Sequence, residues 1–327
     1  MTTWRGALRE LDRAAKRNAR EKAYREKQRA IAEIIKESQK ILEEYNKLIN
    51  SLVTLHIECC EVIDWKSVIK SNAPKTVNRV NYYEKIAREK KANYRPSRLK
   101  KFFGKADKEA SKFEEEIILA IERDEEQYRY QIREYEKEKN KWQNEKELAS
   151  RILKGEDKAI EKVLKTKLSL KTNSYIGTKM MFHFEKRDLF EAQIKLHEID
   201  IIPSYDLRQL KSGKLSRKDM PKSRRFEIYK EYACSATIRI AREIFALISL
   251  KEILVNAKCD QLNQKTGYKE EVIILSAFIP RVTLEELNFK YLKPSIAIEN
   301  FVHNIDFKKY SGFNEVNEVS IENKFKK

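Results

Sequence analysis

Tyr232-Ala233-Cys234-Ser235-Ala236-Thr237-Ile238-Arg239-Ile240-Ala241, followed by Ile244, Phe245, Leu247 and Ile248, decides how this chain is read. On a helix these residues put apolar or small side chains on nearly every face, so the helix has no solvent side and belongs inside a domain. Pro221 is placed to open it, Asp219 stands ready as a cap, and the pattern predicts that it runs to about Ser249. Arg239, Arg242 and Glu243 fall within it. Burial there demands pairing or an outlet to solvent, and a structural ion pair is the expectation.

The segments around this helix have a different period. Phe190, Ala192, Ile194 and Leu196 alternate with Glu191, Gln193, Lys195 and His197, the pattern of a half-buried strand. Residues 181–185 read as its hairpin partner across Lys186-Arg187-Asp188. Residues 253–257 and 272–279 follow as strands joined through Gln264-Lys265-Thr266-Gly267. Thr283 and Glu286 stand in capping-box register for a short helix, 295–303 is a second short-helix candidate, and 306–319 reads as an extended tail. Residues 166–327 are thus expected to form an α+β domain in which an antiparallel sheet covers one central helix.

Upstream, the chain turns helical. Ile34, Ile41, Leu48 and Leu55 fall seven apart, with Ile31, Tyr45 and Leu52 on the neighbouring line, which Ser38 interrupts. Ile35, Leu42 and Ile49 widen the stripe beyond a two-position seam, which predicts more than one packing partner and hence a homo-oligomer or a partner protein. A second run starts near Phe113, with Ile121, Tyr128, Tyr135, Trp142 and Ala149 seven apart. That aromatic line suits a packing seam better than a base-stacking ladder, because its spacing is that of a helix face. Gly155 breaks the run and a short helix to about Lys165 follows. The expected organisation is a basic helical extension over 1–30, a coiled-coil helical hairpin over 31–165 with a connector at 62–112, and the C-terminal domain.

Charge is concentrated in the same half. Residues 1–30 and 66–112 together hold 17 of the net 18 positive charges, and a localised field of that kind attracts polyanions, of which nucleic acid is the commonest. Within the connector, Lys90, Lys91, Arg95, Arg98, Lys100 and Lys101 are interleaved with Tyr94, Phe102 and Phe103, the mixture that a phosphate-plus-stacking surface requires. The same mixture also fits an anionic membrane surface, an acidic protein partner or a solvated connector. No apolar run approaches the roughly 18 residues of a membrane span, and Thr2-Thr3-Trp4-Arg5 is not a secretory leader. A cytoplasmic protein is expected.

Motifs for chemistry are weak. Ser212-Gly213-Lys214-Leu215-Ser216 fails as a phosphate loop, since Arg208 stands where its first glycine belongs and Leu215 where Ser or Thr belongs. The basic turn around it is more suggestive: Lys222, Arg224 and Arg225 begin the central helix, where backbone N–H groups and the helix dipole attract an anion, and Lys214 and Arg217 lie in the preceding segment. Anion binding and a charged surface loop both remain open there. Cys59, Cys60, Cys234 and Cys259 match neither a zinc spacing nor a disulfide framework, and the four histidines are isolated. Glu185, Glu191, Asp200 and Lys195 offer a faint carboxylate-lysine pattern of a metal nuclease. No catalytic residue, metal ligand set or cofactor is assigned.

Ser212 to Ser216, Met220-Pro221-Lys222-Ser223-Arg224-Arg225, Cys234-Ser235-Ala236 with Ile240-Ala241-Arg242-Glu243, and Glu299-Asn300-Phe301-Val302-His303-Asn304 together resemble the C-terminal region of a family of uncharacterised bacterial proteins that combine a charged coiled coil with such a domain. The resemblance spans roughly residues 165–319. It implies a bacterial cytosolic protein and no catalytic residues, and it is compatible with a stress or phage-defence role. The expectation is a non-catalytic nucleic-acid-binding or scaffold protein. The alternatives are a subunit of a metal-dependent nuclease or other enzyme complex, and an adaptor for an acidic protein.

Overall fold

The computed structural model describes residues 4–95, 105–168, 175–184 and 190–320. Two compact units emerge, Met1–Ile63 with Glu161–Lys327, and Asp64–Ile160. The first long helix therefore belongs with the C-terminal fold, a division the sequence does not announce.

In the larger unit, α1 (Trp4–Val53) is exposed at every side chain over 15–34 and becomes covered only further on. The line that goes inside is Ser38, Tyr45, Leu52, with Ser38 6% and Leu52 0% exposed, while Ile34 and Ile41 stay open at 46% and 40%. The serine that interrupts the apolar lattice is thus on the packed face. What packs there is a hairpin that reads in the sequence as a basic loop, β3 (Tyr205–Gln209) with β4 (Leu215–Asp219). Tyr45 stacks on Tyr205 with ring centroids 5.9 Å apart and donates its hydroxyl to the Tyr205 carbonyl at 2.8 Å. Gly213 turns the hairpin at φ +80°, and a Cβ there would lie 2.2 Å from Cγ1 of Ile35, so both backbone and space call for glycine.

The central helix is α6 (Lys222–Leu247), buried from Tyr232 to Ile240 without a break. Pro221 takes the N-cap position and no side chain caps it, so Asp219, an exposed residue of β4, does not have the capping role expected of it. At the other end Arg281 closes the helix: Nη2 donates to the carbonyls of Phe245 and Ile248, both at 2.7 Å, and Nε to that of Leu250 at 2.7 Å. A planar guanidinium supplies several donors at once, and its charge suits the negative end of the dipole.

The sheet has five strands in the order β1 (Lys179–Phe184), β2 (Phe190–Lys195), β5 (Glu252–Leu262), β6 (Lys269–Pro280), β7 (Val302–Ile305). The expected β1–β2 and β5–β6 hairpins are present, with Met181 opposite Gln193 and Val255 opposite Ala277. The sheet is mixed, however, not antiparallel: β2 and β5 run parallel, Gln193 beside Asn256. Parallel neighbours need a long crossover, and the β3–β4 hairpin with α6 provides one. The short helix α7 (Arg281–Glu285) starts from Pro280 without the Thr283–Glu286 capping box. The segment expected as one helix over 295–303 is α8 (Pro294–Ala297), a 3-10 turn and then β7. In the tail, β8 (Phe307–Lys308) and β9 (Gly312–Phe313) form a small hairpin.

The smaller unit is built on α4 (Lys105–Leu153), against which α2 (Trp65–Lys70) and α3 (Tyr82–Ala92) pack. The aromatic line of α4 is a packing seam: Trp142 is half-buried and donates Nε1 to Ser71 Oγ at 2.9 Å, just beyond α2. Gly155, at φ +75°, ends the helix with the N–H of Gly155 on Ile152 and that of Glu156 on Arg151. The helix α5 (Asp157–Lys167) follows. Each long helix finds packing partners in its own unit, and among the described residues no helix is long and apolar enough to cross a membrane.

Candidate nucleic-acid interface

The longest basic surface lies on α1. Arg13, Lys16, Arg17, Arg20, Lys22, Arg25, Lys27 and Arg29 are all exposed, against Glu21 and Glu26. At about 1.5 Å per residue the stretch is roughly 25 Å long, somewhat less than the ~34 Å of one duplex turn. An Arg25–Glu21 pair at 2.5 Å is fully on the surface, and such pairs contribute little. Every side chain over 15–34 is exposed among the described residues, so these charges lie outside the packed part of the fold.

Of the connector residues, four are placed. Lys90 pairs with Glu116 at 2.6 Å and sits 5.8 Å over the Phe113 ring, Lys91 pairs with Glu114, Tyr94 packs on Phe113 at 4.9 Å, and Arg95 donates to the Ala92 carbonyl at 3.1 Å. Lys90, Lys91 and Tyr94 fasten the end of α3 to the start of α4, while Arg95 folds back on the end of α3. The lysine pairs are exposed, so they exchange readily for phosphate contacts. Arg98, Lys100, Lys101, Phe102 and Phe103 lie outside the described residues.

Further along the same unit, Tyr83, Arg123, Glu126, Gln127, Tyr130 and Arg133 line an open groove of about 550 Å³. Its position depends on a buried acid. Asp124, 3% exposed, accepts from the N–H of Tyr83 at 3.1 Å and of Glu84 at 2.8 Å, capping α3 from another helix because Asn81 at the N-cap makes no side-chain bond. Tyr83 and Tyr130 keep 40% and 59% of their surface exposed, available for stacking. Sequence reasoning passed over this site, since its residues come together only when α3 docks.

The basic turn resolves into protein contacts. Arg224 pairs with Asp206 at 3.1 Å; Arg225 donates to the carbonyls of Ile202 and Ile199 at 3.0 and 3.2 Å and to Asp200 at 2.9 Å; Arg217 stacks 3.7 Å from the Tyr205 ring centroid. Lys214 and Lys222 are exposed. Arg225 in particular is wired into the turn before β3 rather than held out to an anion.

Charged and nucleophilic groups inside the larger unit serve the core. Arg239, 4% exposed, pairs with Glu243, 0% exposed, at 2.5 Å, and Arg242 donates to the carbonyls of His56 and Ile57. His56 and Ser235 are hydrogen-bonded at 2.8 Å, but both are buried and Ser235 Oγ also accepts the His56 N–H, so the pair anchors the end of α1 on α6. Burial holds the His56 pKa down. Burial likewise raises the thiols, Cys60 and Cys234 each to about 12, so neither is a thiolate nucleophile near neutrality. A cleft of about 230 Å³ beside Cys59 is lined by Arg242 and Arg281, whose guanidiniums are already committed to carbonyls.

The nuclease-like residues separate. Asp200 stands at the surface with Arg225, Glu185 lies outside the described residues, and Lys195 pairs with Asp260 at 2.7 Å and Glu271 at 3.4 Å. Hydrogen bonding to Asp260 raises the Lys195 pKa. Glu191 is buried on the same sheet face, joined to Asn256 of β5. Comparison with protein-family models, with characterised proteins and with solved structures finds no match for this chain.

Proposed function

We propose that the protein binds nucleic acid through the exposed basic stretch of α1, with the exposed cations and tyrosines of the smaller unit adding contacts. The observation that carries this reading is the row of eight exposed cations at 13–29, on a stretch of helix left uncovered among the described residues. A helix segment that is polar all round and unpacked contributes little to a core, whereas a dense row of exposed cations gains free energy by releasing counterions from a phosphate backbone. Assembly belongs to the same proposal: Ile31, Ile34 and Ile41 remain 38%, 46% and 40% exposed along α1, a stripe suited to a second copy or another helix. Light scattering at micromolar concentration should therefore show more than a monomer.

Titration of labelled duplex DNA, single-stranded DNA and RNA tests the binding. Replacing Arg13, Lys16, Arg17, Arg20, Lys22 and Arg25 with Gln should weaken binding at low salt by about a hundredfold or more. Because the replaced side chains are exposed, the circular dichroism spectrum should not change. Affinity equal to wild type would remove α1 from the interface, and selective binding of an acidic protein instead of nucleic acid would favour the adaptor reading.

A further inference from the structure

Beyond α1, the segment leading to Ile63 meets the C-terminal end of α6 and the short helix α7, and a cleft of about 230 Å³ opens there. Val62, Phe245, Ala246, Leu284 and Phe289 make its wall largely apolar. The segment is pinned, because the Ile63 N–H donates to the Ala246 carbonyl at 2.9 Å. Val62 lines the cleft and still keeps 76% of its surface exposed, apolar surface that a bound molecule would remove from water.

Two guanidiniums enter this wall, and each is held by an aromatic ring: Arg242 lies 3.7 Å from the Phe289 centroid and Arg281 4.7 Å from that of Phe245. Arg281 has every nitrogen engaged, Nε and Nη2 by carbonyls and Nη1 by Glu285 at 3.1 Å. Arg242 does not. Its bonds to the carbonyls of His56, Ile57 and Glu58 all come from Nη1, and Nε and Nη2 have no hydrogen-bond partner among the described residues. Since Arg242 is half-buried and neither nitrogen is among the polar atoms sealed away without a partner, this edge is accessible. Nε–H and the neighbouring Nη2–H are the parallel pair of donors that takes both oxygens of a carboxylate.

Charge and volume narrow the ligand. Arg242 and Arg281 face one acid of the lining, Glu285, which Arg281 holds, so the lining carries one net positive charge. Of the acids nearby, Glu243 pairs with Arg239 at 2.5 Å and Glu58 reaches Arg239 at 3.9 Å. Burial lowers the Arg242 pKa, the mark of a guanidinium that has lost water, and an anion would offset that loss. A cavity of about 150 Å³ accepts a benzene ring; at about 230 Å³ the cleft has room for one ring and a short acid arm. Cys59, also in the lining, offers no reaction, because burial raises its thiol pKa.

We infer that this cleft binds a small aromatic carboxylate, with the ring against Val62, Phe245 and Leu284 and the two oxygens on Nε and Nη2 of Arg242. The site shares no residue with the basic stretch of α1 and does not depend on nucleic-acid binding.

Phenylacetate titrated into the full chain and followed by ligand-observed NMR provides the test. Saturable one-to-one binding with a dissociation constant of about 5 mM or below is expected for a ligand of this size. Neutral phenylacetamide, which puts an N–H donor where a carboxylate oxygen was, should bind about tenfold more weakly. Arg242→Lys keeps the charge but removes the two-donor edge, and Val62→Asp sets a carboxylate at an exposed lining position; each should weaken phenylacetate by about tenfold. Glu285→Gln takes the one acid out of the lining and should tighten it. Should Arg242→Lys fail to fold, Val62→Asp and Glu285→Gln decide. Absence of saturable binding up to about 10 mM, equal binding of phenylacetamide, or affinity unmoved in the variants that fold overturns the inference. Tighter binding of glycyl-phenylalanine than of phenylacetate would give the cleft to a chain terminus and overturns the small-molecule assignment.

Discussion

Two helices of this chain carry their cations in opposite ways. On α6, Arg224, Arg225, Arg239 and Arg242 each end on a named acceptor: Asp206, the Ile199 and Ile202 carbonyls, Glu243, and the carbonyls of His56 and Ile57. On α1, eight cations between 13 and 29 are exposed, and the Arg25–Glu21 pair among them lies on the helix surface. Basic residues on a helix are therefore not one class. The four arginines of α6 hold loops and the core together, and their removal should appear in stability; the exposed cations of α1 lie where the helix is uncovered among the described residues, and their removal should appear in binding.

The sharpest break of this contrast is at Arg239. Arg239→Met strands Glu243, 0% exposed, without its partner and should destabilise the protein by about 3–5 kcal/mol, read from chemical denaturation. Arg239→Met with Glu243→Met should recover much of that loss, since the cost is the unpaired charge and not a missing attraction.

Next in size is Arg225. Arg225→Ala loses bonds to two carbonyls and to Asp200 and should cost about 1–3 kcal/mol, whereas exposed Lys222→Ala, three residues earlier, should stay within about 0.5 kcal/mol. Equal effects would erase the distinction between structural and free cations within the basic turn. If Arg225→Ala instead folds at full stability but loses an anion, the turn is a binding site.

The smallest effect is a pH dependence. Burial depresses the pKa of His56, so the folded protein keeps this imidazole neutral at pH values where the unfolded chain protonates it. Its contribution is fully present above the unfolded value of about 6.5 and is lost as the pH falls through the folded value. The melting temperature should accordingly drop between pH 7 and pH 5, and His56→Gln should flatten that drop. An unchanged slope in the variant would assign the acid sensitivity to other groups.

What could be read from the sequence follows from where the information lies. The helix at Tyr232 to Ala241, apolar nearly all round, the two hairpins and the break at Gly155 are local patterns that appear as expected; the alternation at Phe190 to Lys195 is a strand, but one with Glu191 buried as well as its apolar side. The β3–β4 hairpin reads in sequence as a charged loop because none of its strand residues is fully buried: Arg208, Arg217, Lys218 and Asp219 are exposed and the others half-buried. The parallel β2–β5 pairing, Asp124 capping α3 and the meeting of Glu191 with Asn256 and Glu318 depend on chain segments about 40 to 130 residues apart. No periodicity encodes them. The same holds for α1: its apolar stripe is legible in the sequence, whereas which line is covered depends on the β3–β4 hairpin and the central helix that it meets.

The salt dependence of nucleic-acid binding tests the role of α1 most directly. Log K for duplex DNA should be measured from 50 to 300 mM salt, for the wild type and for the variant in which Arg13, Lys16, Arg17, Arg20, Lys22 and Arg25 are Gln. With about 0.9 of the log-log slope lost per phosphate contact, the variant should be shallower by about 3–5. An identical slope in the two proteins would contradict the claim that α1 carries the interface.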